Sequence, residues 1–131
     1  MRAGIRQVLI VDDDFDIRHT LQTLLEDEGC QVYTAADGVA AVQILQASRD
    51  PLPVFLDVMM PRMDGVEVLR AAANDPVLRR HVFTLMTAMG RTLPMELVRL
   101  MGAMQIELIS KPFDDINLIS LHLMRMEQRL T

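Results

Sequence analysis

The sequence predicts an α/β fold, a doubly wound, five-stranded parallel sheet with five helices. Two observations carry this. Short apolar runs recur and stop on polar residues: Val8-Leu9-Ile10-Val11 before Asp12-Asp13-Asp14, Val54-Phe55-Leu56 before Asp57, and two later runs ending at Thr87 and Lys111. Such runs suit strands buried on both faces of a parallel sheet. Between them lie segments with apolar residues at helical spacing, joined by short links, as right-handed βαβ crossovers require. Open α/β sheets place their sites at the carboxyl ends of strands. The residues that end the runs are therefore also the candidate functional residues.

The elements follow in order. After the first strand, Ile17, Leu21, Leu24 and Leu25 recur at helical spacing, and Gly29 supplies the C-terminal stop. Asp14 is read as the cap of this helix, where an acid complements the N-terminus. Cys30 to Ala35 reads as the second strand. Asp37 caps a helix carrying Val42, Ile44 and Leu45. Asp50-Pro51-Leu52-Pro53 punctuates the chain before the strand ending at Asp57. A Gly65–Asn74 helix stops before Pro76, and Val82–Met86 is the fourth strand. Pro94 opens the fourth helix, whose core side is assigned Leu97, Val98, Met101 and Met104. Ile106–Ser110 is the fifth strand, and Asp114 or Asp115 caps a last helix reaching about Arg129. On it Ile116, Ile119, Leu123, Met126 and Leu130 form a stripe toward the sheet. Leu118, Leu121 and Met124 fall on another side and form a second apolar patch.

Composition bounds the reading. A chain of 131 residues, half apolar and 24% charged, suits one globular domain over 1–131. The net charge of −5 argues against a nucleic-acid surface. No apolar stretch approaches the length needed to span a bilayer. The lone Cys30 forms no internal disulfide and no signal peptide precedes Val8, which together point to a reducing cytoplasm. The 11 methionines read as core filler. His19, His81 and His122 have no spacing for a metal or a catalytic dyad and are read as surface residues.

Carboxylates from Asp12-Asp13-Asp14 and Asp57, delivered to one edge of the sheet, repel one another when three are held together and call for a cation. Oxygen ligands suit a hard divalent metal, Mg²⁺ above others, and hence phosphoryl chemistry.

The segments VLIVDDD, FLDVMMPRMDG, TLMTA and SKPF resemble, in order and spacing, those of the receiver domain of bacterial two-component response regulators. The likeness covers nearly the whole chain. It implies the flavodoxin-like strand order 2-1-3-4-5. It also implies that Asp57 is the phosphoacceptor, and that Asp13, Asp57 and the main-chain carbonyl of Met59 ligate Mg²⁺. Asp12 would act mainly through a water. Lys111 would supply positive charge to the phosphate oxygens, with the Lys111-Pro112 bond cis, and Thr87 would donate its hydroxyl. The implied partners are a sensor histidine kinase or phosphotransfer protein. An effector or a second copy would bind through the fourth helix, fifth strand and last helix. No turnover beyond self-catalysed phosphoryl transfer and hydrolysis is implied, so the chain is read as a signalling domain rather than an enzyme. It is either a stand-alone regulator or part of a longer protein.

The chain departs from the pattern in places. Leu108 stands where relatives carry Tyr or Phe, and Met104-Gln105 replaces the usual Gly-Ala step. Met59 and Met89 stand where some relatives place polar residues that position the hydrolytic water, which implies a long-lived phosphorylated form. Three alternatives compete. In a haloacid-dehalogenase-type phosphatase Asp12 and Asp14 would be nucleophile and acid. A flavodoxin-like cofactor binder would want Ser, Thr and Gly where the acids stand. A degenerate receiver would bind partners without phosphorylation.

Overall fold

The computed structural model describes residues 6–88, 92–111 and 116–130, with the backbone alone at 116. Met89, the Lys111-Pro112 bond, the Asp114 or Asp115 cap and the Ile116 side chain lie outside the described residues.

The chain begins with β1 (Arg6–Val11), α1 (Phe15–Asp27), β2 (Cys30–Ala35), α2 (Gly38–Ala47) and β3 (Pro53–Asp57). It continues through α3 (Gly65–Ala73), α4 (Pro76–Arg79), β4 (Val82–Ala88), α5 (Met95–Met104), β5 (Glu107–Lys111) and α6 (Ile116–Arg129). All pairings are parallel, in the order β2-β1-β3-β4-β5. The crossover between β2 and β3 moves the chain to the far side of β1 and opens the crevice where such sheets place their sites.

Alternate residues of the central strands feed two cores. Leu9, Val11, Val54, Leu56 and Leu85 face the side of α2, α3 and α5, where Leu45, Leu69 and Leu97 cover them. Val8, Ile10, Phe55 and Met86 face α1 and α6, under Leu21, Leu25, Leu123 and Met126. A fully buried leucine of this kind contributes roughly 1.5–3 kcal/mol.

The expected caps form. Asp14 accepts from the Asp16 and Ile17 amides at 2.9 and 3.3 Å, and Asp37 accepts from the Ala40 amide at 2.9 Å. Gly29, at φ +90°, ends α1 in a conformation that costs glycine little. On α6, Ile119, Leu123 and Met126 are buried, and Leu130 packs half-buried beside them.

Three expectations need correction. Pro76 does stop α3, but it also opens a sixth helix, the single turn α4, because Asp75 caps it through the Val77 amide at 2.9 Å. Val98 is exposed, since its neighbour Leu97 takes the inward direction on α5 and adjacent residues point about 100° apart on a helix. His81 and His122 are buried, not on the surface. His81 accepts from the Leu52 amide through Nδ1 at 2.8 Å, and its Nε2–H donates to the Leu45 carbonyl at 3.0 Å. This holds the ring neutral, and burial pushes its pKa down to about 4. His122 places Nδ1 3.4 Å from the Glu107 carboxylate, which also pairs with Arg125.

Where Met104-Gln105 replaces the Gly-Ala step, Gln105 ends α5 in the left-handed conformation, φ +56° and ψ +50°. Arg129 on α6 donates to the Gln105 and Met104 carbonyls at 2.7 and 3.2 Å, binding up that helix end.

Candidate functional site

Strand register assembles the site. Val11 lies opposite Leu56, so Asp12 and Asp57 leave the sheet side by side. Asp57 in turn lies opposite Met86, and Ala88 opposite Lys111. A cleft of about 250 Å³ at this edge is lined by Asp12, Asp13, Asp14, Asp57, Met59, Thr87, Ala88 and Lys111. Every side chain singled out at the strand ends reaches it.

Asp12, Asp13 and Asp57 each offer a carboxylate oxygen, all within 4.8 Å of one another, with Asp12 and Asp57 buried and Asp13 exposed. Asp12 is fixed from three sides. One oxygen accepts from the Asp14 amide at 2.9 Å and the other from Lys111 Nζ at 3.1 Å, while its carbonyl accepts from Arg18 at 2.7 Å. Arg18 is a support that single-sequence reading missed; its only signal is its place one turn into α1 beyond the Asp14 cap. Asp14 turns its carboxylate to the helix cap, leaving the acid cluster to the other three.

Lys111 Nζ also reaches Asp57 Oδ1 at 3.2 Å, so one ammonium bridges two buried carboxylates. Burial raises Asp57 to a pKa of about 7; the charge on Asp12 adds to this, and Lys111 opposes it. Burial acts to lower Lys111, but Asp57 and Asp12 outweigh it and its pKa is raised. The lysine is charged at neutral pH, and without a further cation Asp57 is only partly ionised.

Thr87 is 5% exposed, and its hydroxyl has no hydrogen-bond partner among the described residues. The hydroxyl lines the cleft and is able to donate to a group bound there. The buried Thr84 hydroxyl is likewise unpartnered, but Thr84 does not line the cleft. Gly65 closes the loop after β3. Its amide donates to the Val58 carbonyl at 2.9 Å, and a Cβ there would lie 2.5 Å from the Asp57 carbonyl. Leu108, three residues before the lysine, is 37% exposed on the outer strand. Among the described residues no helix is long and apolar enough to cross a membrane.

Comparison with known proteins agrees with this geometry. A family model described as the response regulator receiver domain matches residues 8–122. The chain is 39% identical over 117 residues to the transcriptional regulatory protein CpxR homolog of Haemophilus influenzae, covering 87% of this chain and 47% of that one. It is 31% identical over 113 residues to protein PilG of Pseudomonas aeruginosa, covering 86% and 82%. Among solved structures, a CheY-like receiver domain protein from Methanospirillum hungatei superposes with a TM-score of 0.78 at 30% identity, covering 93% and 94%. The chain thus spans about half the length of the CpxR-type relative and most of the length of the others. Matched from its first strand to well into its last helix, this chain belongs to the response regulator receiver domain family.

Proposed function

We propose that this receiver domain accepts a phosphoryl group on Asp57, from a histidine kinase or phosphotransfer protein, with Mg²⁺ held beside it. The observation that supports this is the charge arrangement at the sheet edge: three carboxylates within 4.8 Å and one bridging ammonium. Fully ionised, the cluster carries the two excess negative charges that one divalent cation neutralises, and its oxygen-only donors suit a hard ion. Asp13, Asp57 and the Met59 carbonyl would hold the ion, with Asp12 beside it. When bound, it supplies positive charge shared by the nucleophile and the phosphoryl oxygens.

The chain's own residues do the rest. An Asp57 carboxylate oxygen attacks phosphorus as the bond from phosphorus to the donor's nitrogen or oxygen breaks, and the leaving group keeps that electron pair. Lys111, already 3.2 Å from Asp57, exchanges this contact for a phosphoryl oxygen. Thr87 gains the acceptor that it lacks. A phosphatase that uses Asp12 as nucleophile and Asp14 as acid is disfavoured, because Asp14 is spent on the α1 cap.

Acetyl phosphate with Mg²⁺ is expected to add one phosphoryl mass to the protein, located by peptide mapping at Asp57. EDTA or Asp57→Asn should abolish the addition, since an amide is neither nucleophile nor anionic ligand. Undiminished labelling of Asp57→Asn would overturn the assignment.

The output surface is proposed to be α5, β5 and α6. Thr87 and Lys111 lie at the carboxyl ends of β4 and β5, and Leu118, Leu121 and Met124 stand on α6 at 41, 42 and 46% exposure. A second copy placed by a two-fold axis would use the same patch twice. Leu121→Glu is expected to suppress any mass increase that acetyl phosphate produces in light scattering; an unchanged profile would make the patch ordinary surface.

A further inference from the structure

The loop between β3 and α3 carries Met59 and is built around an unusual turn. At its tip the Met63 amide donates to the Pro61 carbonyl at 2.7 Å across Arg62, which has φ +64°. A three-residue turn with a positive central φ is the rarer, strained form, and a residue with a Cβ is disfavoured there. Local conformational preference would select glycine at this position.

What the arginine adds is a partner. Its guanidinium donates through Nε at 2.8 Å, and also through Nη2, to one Asp37 carboxylate oxygen. Asp37 is 5% exposed, and its other oxygen caps α2 through the Ala40 amide, so the acceptor is anchored to a helix. One residue further along each loop, the Gly38 amide donates to the Met63 carbonyl at 2.8 Å. A Cβ at Gly38 would lie 2.4 Å from that oxygen, so close approach of the two loops needs the glycine. Adjacent residues on both loops are thus fastened together, and the strained turn is held against the start of α2.

The geometry points to Arg62 as a positioning residue: by clamping Asp37 it holds the loop that presents the Met59 carbonyl to a divalent cation. This inference rests on the metal-site reading above. Charge alone predicts the opposite sign of effect. Deleting a cation in the neighbourhood of the carboxylates would tighten binding of a divalent ion, whereas deleting a positioning contact loosens it. Groups hydrogen-bonded directly to a metal ligand are typically worth 10–100-fold in affinity, and a clamp three residues from the ligand belongs at the lower end of that range.

The test is calorimetric titration of the full chain with MgCl₂. Arg62→Ala is expected to weaken Mg²⁺ by about tenfold. Arg62→Gly should do the same, although glycine accepts the positive φ freely, which assigns the loss to the guanidinium. Arg62→Lys should recover part of the affinity. Asp37→Asn retains a helix-capping side chain and should weaken binding similarly, with little further loss when Arg62→Ala is added to it. Parent-like or tighter binding by Arg62→Ala and Arg62→Gly would overturn the clamp alone, provided that Asp13→Ala still loses the ion. Additive losses from Asp37→Asn and Arg62→Ala would overturn it too. Unchanged binding by Asp13→Ala would overturn the metal site and the clamp together.

Discussion

In metal-free buffer at pH 8, Asp57→Asn is expected to unfold at a distinctly higher temperature and denaturant concentration than the parent, although it destroys the proposed phosphoacceptor. The folded protein holds Asp57 with its pKa raised from 3.8 to about 7, chiefly by burial and then by Asp12. A carboxyl group raised in this way contributes stability below pH 3.8 that is lost as pH rises through about 7. At about 1.4 kcal/mol per pKa unit, the ceiling of that loss is about 4 kcal/mol. Asparagine keeps the shape without the charge and escapes it. Adding Mg²⁺ at 100 times its Kd should stabilise the parent by about 2.7 kcal/mol and the variant by much less, closing most of the gap. Urea melts with EDTA and with Mg²⁺ decide the matter. A variant no more stable than the parent in EDTA would mean that the fold bears no penalty for this carboxylate.

The second large effect belongs to His81, at the opposite end of the sheet. Its ring accepts from Leu52 and donates to Leu45, which only the neutral form can do. Burial lowers its pKa to about 4, with Arg80 adding to the shift and the Leu45 bond opposing it. The stability this contributes is fully present above about pH 6.5 and is lost as pH falls through 4. The loss amounts to about 3 kcal/mol. Between pH 4 and 6.5 the parent's Asp57 runs the other way, so the two groups offset each other and mask the effect. Asp57→Asn removes the mask. That variant is expected to lose about 3 kcal/mol on going from pH 6.5 to 4, and adding His81→Gln should flatten the profile. The glutamine also costs about 1–3 kcal/mol at pH 7, because it leaves at least one buried backbone group unpaired. Equal stability of Asp57→Asn at pH 6.5 and 4 would rule this role out.

The strand ends were legible because a buried parallel strand has almost no polar residues to spare, so Asp12, Asp57, Thr87 and Lys111 stand out where the apolar runs stop. The caps Asp14 and Asp37 were legible for a similar reason, being short acids directly before helical periodicity. What failed has a common cause. α4 is four residues long, too short to show any period. Leu97 and Val98 are neighbours, and periodicity alone does not say which of them turns inward. His81 is buried by a carbonyl and an amide that lie 36 and 29 residues away, and Arg62 meets Asp37 across 25. Partnerships of that kind exist only once the crossovers have formed.

One further consequence attaches to the way α5 is seated. Only Leu97 on it is fully buried and no side chain caps its start, but Arg70 of α3 pairs with Glu96 in its first turn and Arg129 of α6 holds its left-handed Gln105 end. α6, by contrast, is tied to β1 by Arg6–Glu127, to the end of α1 by Ser120–Glu28 and to β5 by Glu107–Arg125. The two helices of the proposed output face are therefore anchored differently, α6 to the strands and to α1, and α5 to the neighbouring helices. On the proposed function, a displacement starting at Thr87 would meet α5 as a beam braced at both ends, by α3 at its first turn and by α6 at its last.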